Sequence, residues 1–264
     1  MPNPSPARMH DFEVVSNEEI AEGIFSLVIL APRLASALKP GQFVNIRVPG
    51  DASELLRIPL SYVSADAEHG TVEIWYAVVG NATRRMSQWK PSFTSDLLGP
   101  GGRGWKAPEG TKRALVVGGG IGVPPVLCLA RELVSAGVAV DACVGAASAS
   151  KLVGLEDFRA LGCDQVCVAT DDGSAGACGF CTDPASELLA AGGYDYVATC
   201  GPGVMMSKVA AAAAEAGVYC EASLERMMSC GFGACSTCNV ETTDGMQGAC
   251  MCGPVFDASK VVVW

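Results

Sequence analysis

"RALVVGGGIGVPPVLCLARELVSAG", Arg113–Gly137, is the stretch on which the fold turns. Its opening apolar run has the length of a buried strand. Gly118, Gly119, Gly120 and Gly122 then make a tight turn. Pro124 and Pro125 suit the first turn of a helix, where a missing N–H costs little, and Gly137 suits its stop. Such a turn lets the backbone approach a pyrophosphate, whose charge a helix N-terminus favours. The G-x-G-x-x-G fingerprint is incomplete, because Val123 holds the third place. The next strand, "VAVDACVGA", also ends without an acidic residue for a ribose hydroxyl. On these residues alone, a plain strand–helix connection explains the stretch equally well.

Towards the C-terminus the rhythm continues. "VAVDACVGA", "QVCVAT", "YDYVATCG" and "VYCEAS" read as strands, and "GLEDFRAL", "PASELLAAG" and "VMMSKVAAAAAEAG" as helices between them. Alternation of this kind predicts a parallel sheet with helices on its faces. Towards the N-terminus the pattern differs. "FEVVSNEEIAEGIFSLVIL", "GQFVNIRV", "IPLSYVSA" and "TVEIWYAVV" are short apolar or alternating runs divided by turn-rich pieces. In the last, Val72, Ile74, Tyr76 and Val78 share one face, and the set predicts a small antiparallel barrel.

Half of the 264 residues are apolar and 17% are charged, so buried cores are well supplied. The net charge of −10 argues against electrostatic binding to nucleic acid or an anionic membrane. The N-terminal "MPNPSPARMHDFEVV" lacks the apolar core of a signal peptide, and no window reaches the length of a membrane span, so a cytoplasmic location is expected. Thirteen cysteines in that compartment predict no disulfide framework. Cys128, Cys143 and Cys167 lie in apolar runs as small buried hydrophobes, and the pair Cys178 and Cys181 is expected to be structural.

The exception is "RMMSCGFGACSTCNV", residues 226–240. Cys230-x4-Cys235-x2-Cys238 with a distant fourth cysteine is the plant-type [2Fe–2S] spacing. Structural zinc sites usually offer two C-x2-C knuckles, and only one is present here. Gly231, Gly233 and Ala234 leave room for the loop to close round inorganic sulfides, with backbone N–H groups available to donate to them. In "GACMCGPVF", Cys250 and Cys252 compete for the fourth position.

In the barrel region "LRIPLSYV" places Arg57 and Ser61 on one side of an extended segment, a pairing suited to a phosphate or a flavin edge. "AVVGNATRRM" adds a glycine turn with Thr83 and two arginines.

Taken in order, R-x-P-x-S, "GGGIGVPP", "CGPGVMM", "CGFGACSTC" and "CGPVF" resemble the ferredoxin-reductase superfamily. Within it they are most similar to the electron-transfer subunits of type B, NAD-linked dihydroorotate dehydrogenase, from "DFEVVSN" to "GPVF". The resemblance implies an FAD-binding β-barrel domain (1–108), a doubly wound NAD-binding α/β domain (109–222) and a small [2Fe–2S] domain (223–264). It implies that Arg57, Pro59, Leu60 and Ser61 open the FAD site and that Gly80 and Thr83 hold its pyrophosphate. Gly118, Gly119, Gly120 and Gly122 would receive NAD, with Thr170–Ser174 on that side of the sheet and Cys200, Gly201 and Pro202 near the nicotinamide. The family's fourth cysteine lies three residues before the glycine of Gly-Pro-Val-Phe. The implied ligand set is therefore Cys230, Cys235, Cys238 and Cys250.

Two positions depart from the family pattern: Ala82, where a glycine is common, and Cys252, where an acidic residue is frequent. The implied partner is an FMN-containing catalytic subunit in a heterotetramer. It would oxidise dihydroorotate to orotate in pyrimidine biosynthesis and pass the electrons through the cluster and FAD to NAD⁺. No residue of this chain is expected to act as a catalytic base. An NAD(P)H:ferredoxin or sulfide-linked oxidoreductase subunit shares most of these motifs, and a zinc-stabilised adaptor without flavin is the reading from another class. The choice between NAD and NADP is open, because "GAASASKL" carries neither the acid nor the arginine that would decide it.

Overall fold

The computed structural model describes residues 7–50 and 55–264. The start of the N-terminal stretch weighed above as a leader lies outside them. Two compact units are present. One joins Met1–Gly104 with Arg226–Val240 and Met246–Pro254; the other joins Trp105–Glu225 with Glu241–Gly245 and Val255–Trp264.

In the first unit the strands are β1 (Arg8–Ala21), β2 (Ile24–Leu30), β3 (Phe43–Ile46), β4 (Ile58–Ser61), β5 (Ser64–Asp66), β6 (Thr71–Ala77) and β7 (Thr94–Gly101). The short helices α1 (Pro32–Ala35) and α2 (Asn81–Met86) interrupt them. All seven strands form one antiparallel sheet in the order β4-β3-β7-β1-β2-β6-β5. Its two edges, β4 and β5, are joined by Tyr62 and Val63 alone. A flat seven-stranded sheet would hold them roughly 29 Å apart at the usual strand spacing, so the sheet must curl round on itself. Val72, Ile74 and Tyr76 are fully buried on the inner face, together with Leu27, Ile29, Ile46 and Leu97. Tyr76 also donates to Asn17 Oδ1 (3.0 Å), and Asn17 Nδ2 donates to the Met86 carbonyl (2.8 Å), tying β6 and β1 to the end of α2.

In the second unit, strands β8 (Arg113–Gly119), β9 (Ala139–Ala146), β10 (Val166–Thr170), β11 (Ala177–Cys178), β12 (Tyr196–Cys200) and β13 (Tyr219–Ser223) are parallel. They alternate with α3 (Val123–Ser135), α4 (Leu155–Ala160), α5 (Thr182–Ala191) and α6 (Gly203–Glu215). Beyond β14 (Asn239–Thr242) and β15 (Gly245–Gly248), which form a separate ribbon, come α7 (Ala249–Cys252) and β16 (Val255–Asp257). The last strand closes one edge, antiparallel to β13, and the sheet order is β11-β10-β9-β8-β12-β13-β16.

The chain therefore starts at β8, steps outward one way to β11, and returns to build the other half from β12. Crossovers in opposite directions from β8, right-handed as parallel connections almost always are, put the helices on both faces, with α3 packed on α4 and α5 on α6. Two buried carboxylates anchor the sheet. Asp141 accepts from Arg113 Nε (3.0 Å) and Nη2 (2.7 Å), Tyr194 Oη (2.6 Å) and the Gln165 amide (2.8 Å). Glu221 accepts from Tyr196 Oη (2.6 Å) and the Lys106 amide (2.8 Å). Among the described residues no helix is long and apolar enough to cross a membrane.

Candidate functional site

In an open α/β sheet, ligands bind outside the carboxyl ends of the strands where the strand order reverses. That point lies between β8 and β12, and it is where the glycine turn and "CGP" meet. Gly122 sits so close to β12 that a Cβ there would lie 2.3 Å from the Cys200 carbonyl oxygen; one on Gly119 would lie 2.5 Å from Met205 Sδ. These glycines allow the turn to pack against the end of β12. Gly118 packs in the same way on Val123 and Val126.

A cavity of about 320 Å³ opens at this place. Gly119, Gly120 and Pro202 line it, whereas Gly118, Gly122, Cys200 and Gly201 are absent from its lining. Burial, followed by the charge of Glu225, pushes the Cys200 thiol up to about 12, so it stays protonated at neutral pH. Asp171 also lines the cavity, while its neighbours hold their own loop. Thr170 Oγ1 bonds the Ala175 backbone, and Asp172 accepts from the Ser174 amide (2.9 Å) and hydroxyl (2.6 Å). Phe180, Cys181 and Lys208 are also part of the wall, with Lys208 Nζ 5.3 Å from the Phe180 ring centre. Cys181 is buried against Met205, and burial raises its thiol to about 11. Phe180 and Lys208 carry no signal in the sequence, because they lie on different segments brought together by the sheet order.

In the first unit Arg57 stands just before β4, and Pro59, Leu60 and Ser61 form its half-buried run. The Arg57 guanidinium is held by Asp96 of β7, through an Nη2–Oδ1 ion pair and an Nη1 bond to the Asp96 carbonyl (3.2 Å). Asp96 also pairs with Arg47 (3.2 Å). Sequence reasoning missed Asp96, which fixes the arginine while leaving further guanidinium donors. Gly80 precedes α2, and Thr83 closes that turn: its hydroxyl accepts from the amides of Val79 (3.0 Å) and Gly80 (3.1 Å) and donates to the Gly80 carbonyl (3.1 Å). Thr83 is thus spent on shaping the turn. The space where a Gly80 side chain would lie is open.

The cysteine loop belongs to the same unit. Cys230, Cys235 and Cys238 lie on the loop, and Cys250 follows on α7. Backbone amides converge on the sulfurs: Ala234 N–H on Cys230 (3.3 Å) and Cys250 N–H on Cys238 (3.4 Å). Hydrogen bonds from Thr237, first its side chain and then its amide, followed by Cys230, lower the Cys235 thiol to about 6. Burial and then Cys238 raise Cys250 to about 12.

Among the described residues no three His, Cys, Asp or Glu side chains gather closely enough for one metal ion. A cysteine loop with backbone amides aimed at its sulfurs fits an iron–sulfur cluster, whose sulfurs accept such hydrogen bonds. Cys250 and Cys252 both lie on α7, two residues and so about 200° apart, and the backbone amide of Cys250 donates to Cys238.

A curled antiparallel sheet, a doubly wound α/β unit and a cysteine loop together define a reductase of the flavin-linked, iron–sulfur class. The family model described as the iron–sulfur cluster binding domain of dihydroorotate dehydrogenase B matches residues 225–262. The "Dihydroorotate dehydrogenase B (NAD(+)), electron transfer subunit" of Bacillus caldolyticus is 39% identical over 95% of this chain and 97% of its own length. That of Fusobacterium nucleatum is 35% identical over 97% and 99%. Among solved structures, an NADH-dependent reduced ferredoxin–NADP oxidoreductase studied for flavin-based electron bifurcation superposes with a TM-score of 0.86. It shares 31% identity over 99% of this chain and 91% of that one. An Amycolatopsis cytochrome P450 reductase, at 21% identity and TM-score 0.68 over 82% and 68%, shares the fold. The chain belongs to the family of electron-transfer subunits of NAD-linked dihydroorotate dehydrogenase B.

Proposed function

We propose that this chain carries electrons from a catalytic partner subunit, which holds FMN and oxidises dihydroorotate to orotate, to NAD⁺. The cysteine loop carries the reading: its Cys230-x4-Cys235-x2-Cys238 spacing and the backbone amides aimed at Cys230 and Cys238 suit an iron–sulfur cluster that passes electrons. When bound, the cluster exchanges single electrons, the nicotinamide exchanges a hydride, and FAD does both.

Each set of residues has a task. Cys230, Cys235, Cys238 and Cys250 hold the two irons, and the amides of Ala234 and Cys250 orient the sulfurs. Arg57, fixed by Asp96, presents its free donors to FAD beside Pro59, Leu60 and Ser61, while Thr83 shapes the Gly80 turn for the pyrophosphate. Gly119, Gly120 and Pro202 admit the dinucleotide to the cavity; Gly118, Gly122, Cys200 and Gly201 lie behind them and let the turn pack against β12. The functional division is 1–108 for flavin, 109–222 for nicotinamide and 223–264 for the cluster. The assembly is a cytoplasmic heterotetramer, and this chain supplies no base for the pyrimidine chemistry.

A second reading, transfer between NAD(P)H and ferredoxin, is favoured by the oxidoreductase that superposes over nearly the whole chain. The deciding experiment is a visible spectrum with iron, sulfide and flavin counts on anaerobically purified protein, co-expressed with a neighbouring FMN protein. Two irons, two sulfides and one FAD per chain support electron transfer, and bleaching by dihydroorotate through the partner selects the first reading. Zinc without flavin would refute both.

A further inference from the structure

Asn45 lies in β3 opposite Pro59 of β4, 3% exposed, and its side-chain nitrogen has no hydrogen-bond partner. Buried amides are almost always satisfied, so this N–H₂ group calls for an acceptor. Its surroundings indicate where that acceptor would be. Gly231, at φ +77, presses against the amide so closely that a Cβ there would lie 2.2 Å from Asn45 Nδ2. Gly231 directly follows Cys230, the first cysteine of the loop. The antiparallel register also puts Asn45 on the face of Pro59, which strand alternation shares with Arg57 and Ser61. The orphan donor therefore stands between the proposed flavin stretch and the cysteine loop, nearest the loop.

We infer that Asn45 Nδ2 donates a hydrogen bond to a sulfur of the iron–sulfur cluster at its Cys230 end and raises the cluster's reduction potential. The inference rests on the electron-transfer reading above. A reduced cluster carries one more negative charge than an oxidised one, so an N–H donor stabilises it more. Gly231 is needed at its place because any side chain would displace the amide and separate donor from sulfur.

The test is an EPR-monitored redox titration of the full chain carrying Asn45→Leu or Asn45→Asp, with the flavin potential followed by absorbance. Asn45→Leu, similar in size but without a donor, is expected to lower the equilibrium constant for cluster reduction about threefold to tenfold. Tenfold corresponds to about 59 mV for one electron. Asn45→Asp, which adds negative charge, is expected to lower it further. Unchanged cluster potential with full iron content would overturn the inference, as would a shift confined to the flavin.

Where the variants fail to assemble, wild-type protein carrying asparagine ¹⁵N-labelled at the side-chain amide decides by pulsed EPR of the reduced cluster. A ¹⁵N coupling that persists in Asn239→Asp, which removes the asparagine amide next to Cys238, supports the bond, and its absence refutes it. Wild-type protein without iron or sulfide would refute the electron-transfer reading itself, whereas iron with an unmoved potential refutes only the role of Asn45.

Discussion

The backbone N–H of Cys250 points at Cys238 Sγ across 3.4 Å, while Cys252 stands two residues further along the same short helix, about 200° round an ideal helix. That relationship makes the two cysteines unequal as ligands. Cys250→Ser is expected to abolish the cluster spectrum in anaerobically purified protein, and Cys252→Ser to leave two irons per chain. Equal iron loss in both variants would contradict the assignment.

Asp96 holds the Arg57 guanidinium through an ion pair and a backbone carbonyl bond. Arg57→Ala removes a charged donor from the flavin stretch, and charged hydrogen bonds are worth about 1.5–3 kcal/mol. FAD affinity is expected to fall roughly 10- to 100-fold. Asp96→Asn, which frees the arginine without removing it, is expected to have a smaller effect in the same direction. Flavin fluorescence during equilibrium dialysis measures both.

Gly122 leaves no room for a side chain beside the Cys200 carbonyl. Gly122→Ala forces the turn and the end of β12 apart, at a cost of about 1–3 kcal/mol by analogy with overpacked cores. Thermal unfolding is expected to drop by about 2–4 °C per kcal/mol. NADH reduction of the flavin is expected to require higher NADH concentration, since the turn forms part of the cavity wall. An unchanged Tm would show that the strand end yields freely.

Burial pushes the thiols of Cys200 and Cys220 up to about 12. In the unfolded chain a thiol ionises near pH ~8.5. Below that pH both states keep the proton; between it and about 12 the unfolded chain releases protons that the folded chain retains. Stability is therefore fully present below pH ~8.5 and is lost as pH rises, on the order of 1 kcal/mol per unit for each thiol. Tyr76, also raised to about 12 by burial, adds to the loss above pH ~10. Melting temperature is expected to fall from pH 8.5 to 11, less steeply in Cys220→Ala. An identical slope in that variant would remove Cys220 from the account.

Much of the fold could be read from neighbours along the chain. The run into "GGGIGVPP", the strand–helix alternation after it and the Cys230-x4-Cys235-x2-Cys238 spacing are local patterns, because periodicity and loop length are set by adjacent residues. The alternation of Val72, Ile74 and Tyr76 likewise announced a buried strand face, whereas Val78, read with them, lies just beyond β6 and is half-buried. β16 escaped notice, since three residues carry no period and its partner β13 lies far back in the sequence. The cavity wall escaped for a similar reason: Phe180 and Lys208 meet only because the chain reverses its strand order after β8.

By itself, then, the sequence determined the longer strands and helices, where the glycine turn falls and which cysteines compete for iron. Tertiary structure alone decided that Asp96 grips Arg57, that the Cys250 amide meets Cys238, and that Asn45 meets Gly231. The physical reason is that these are contacts between segments remote in the chain. Their partners are set by sheet register and by the direction of each crossover, and no local pattern encodes either.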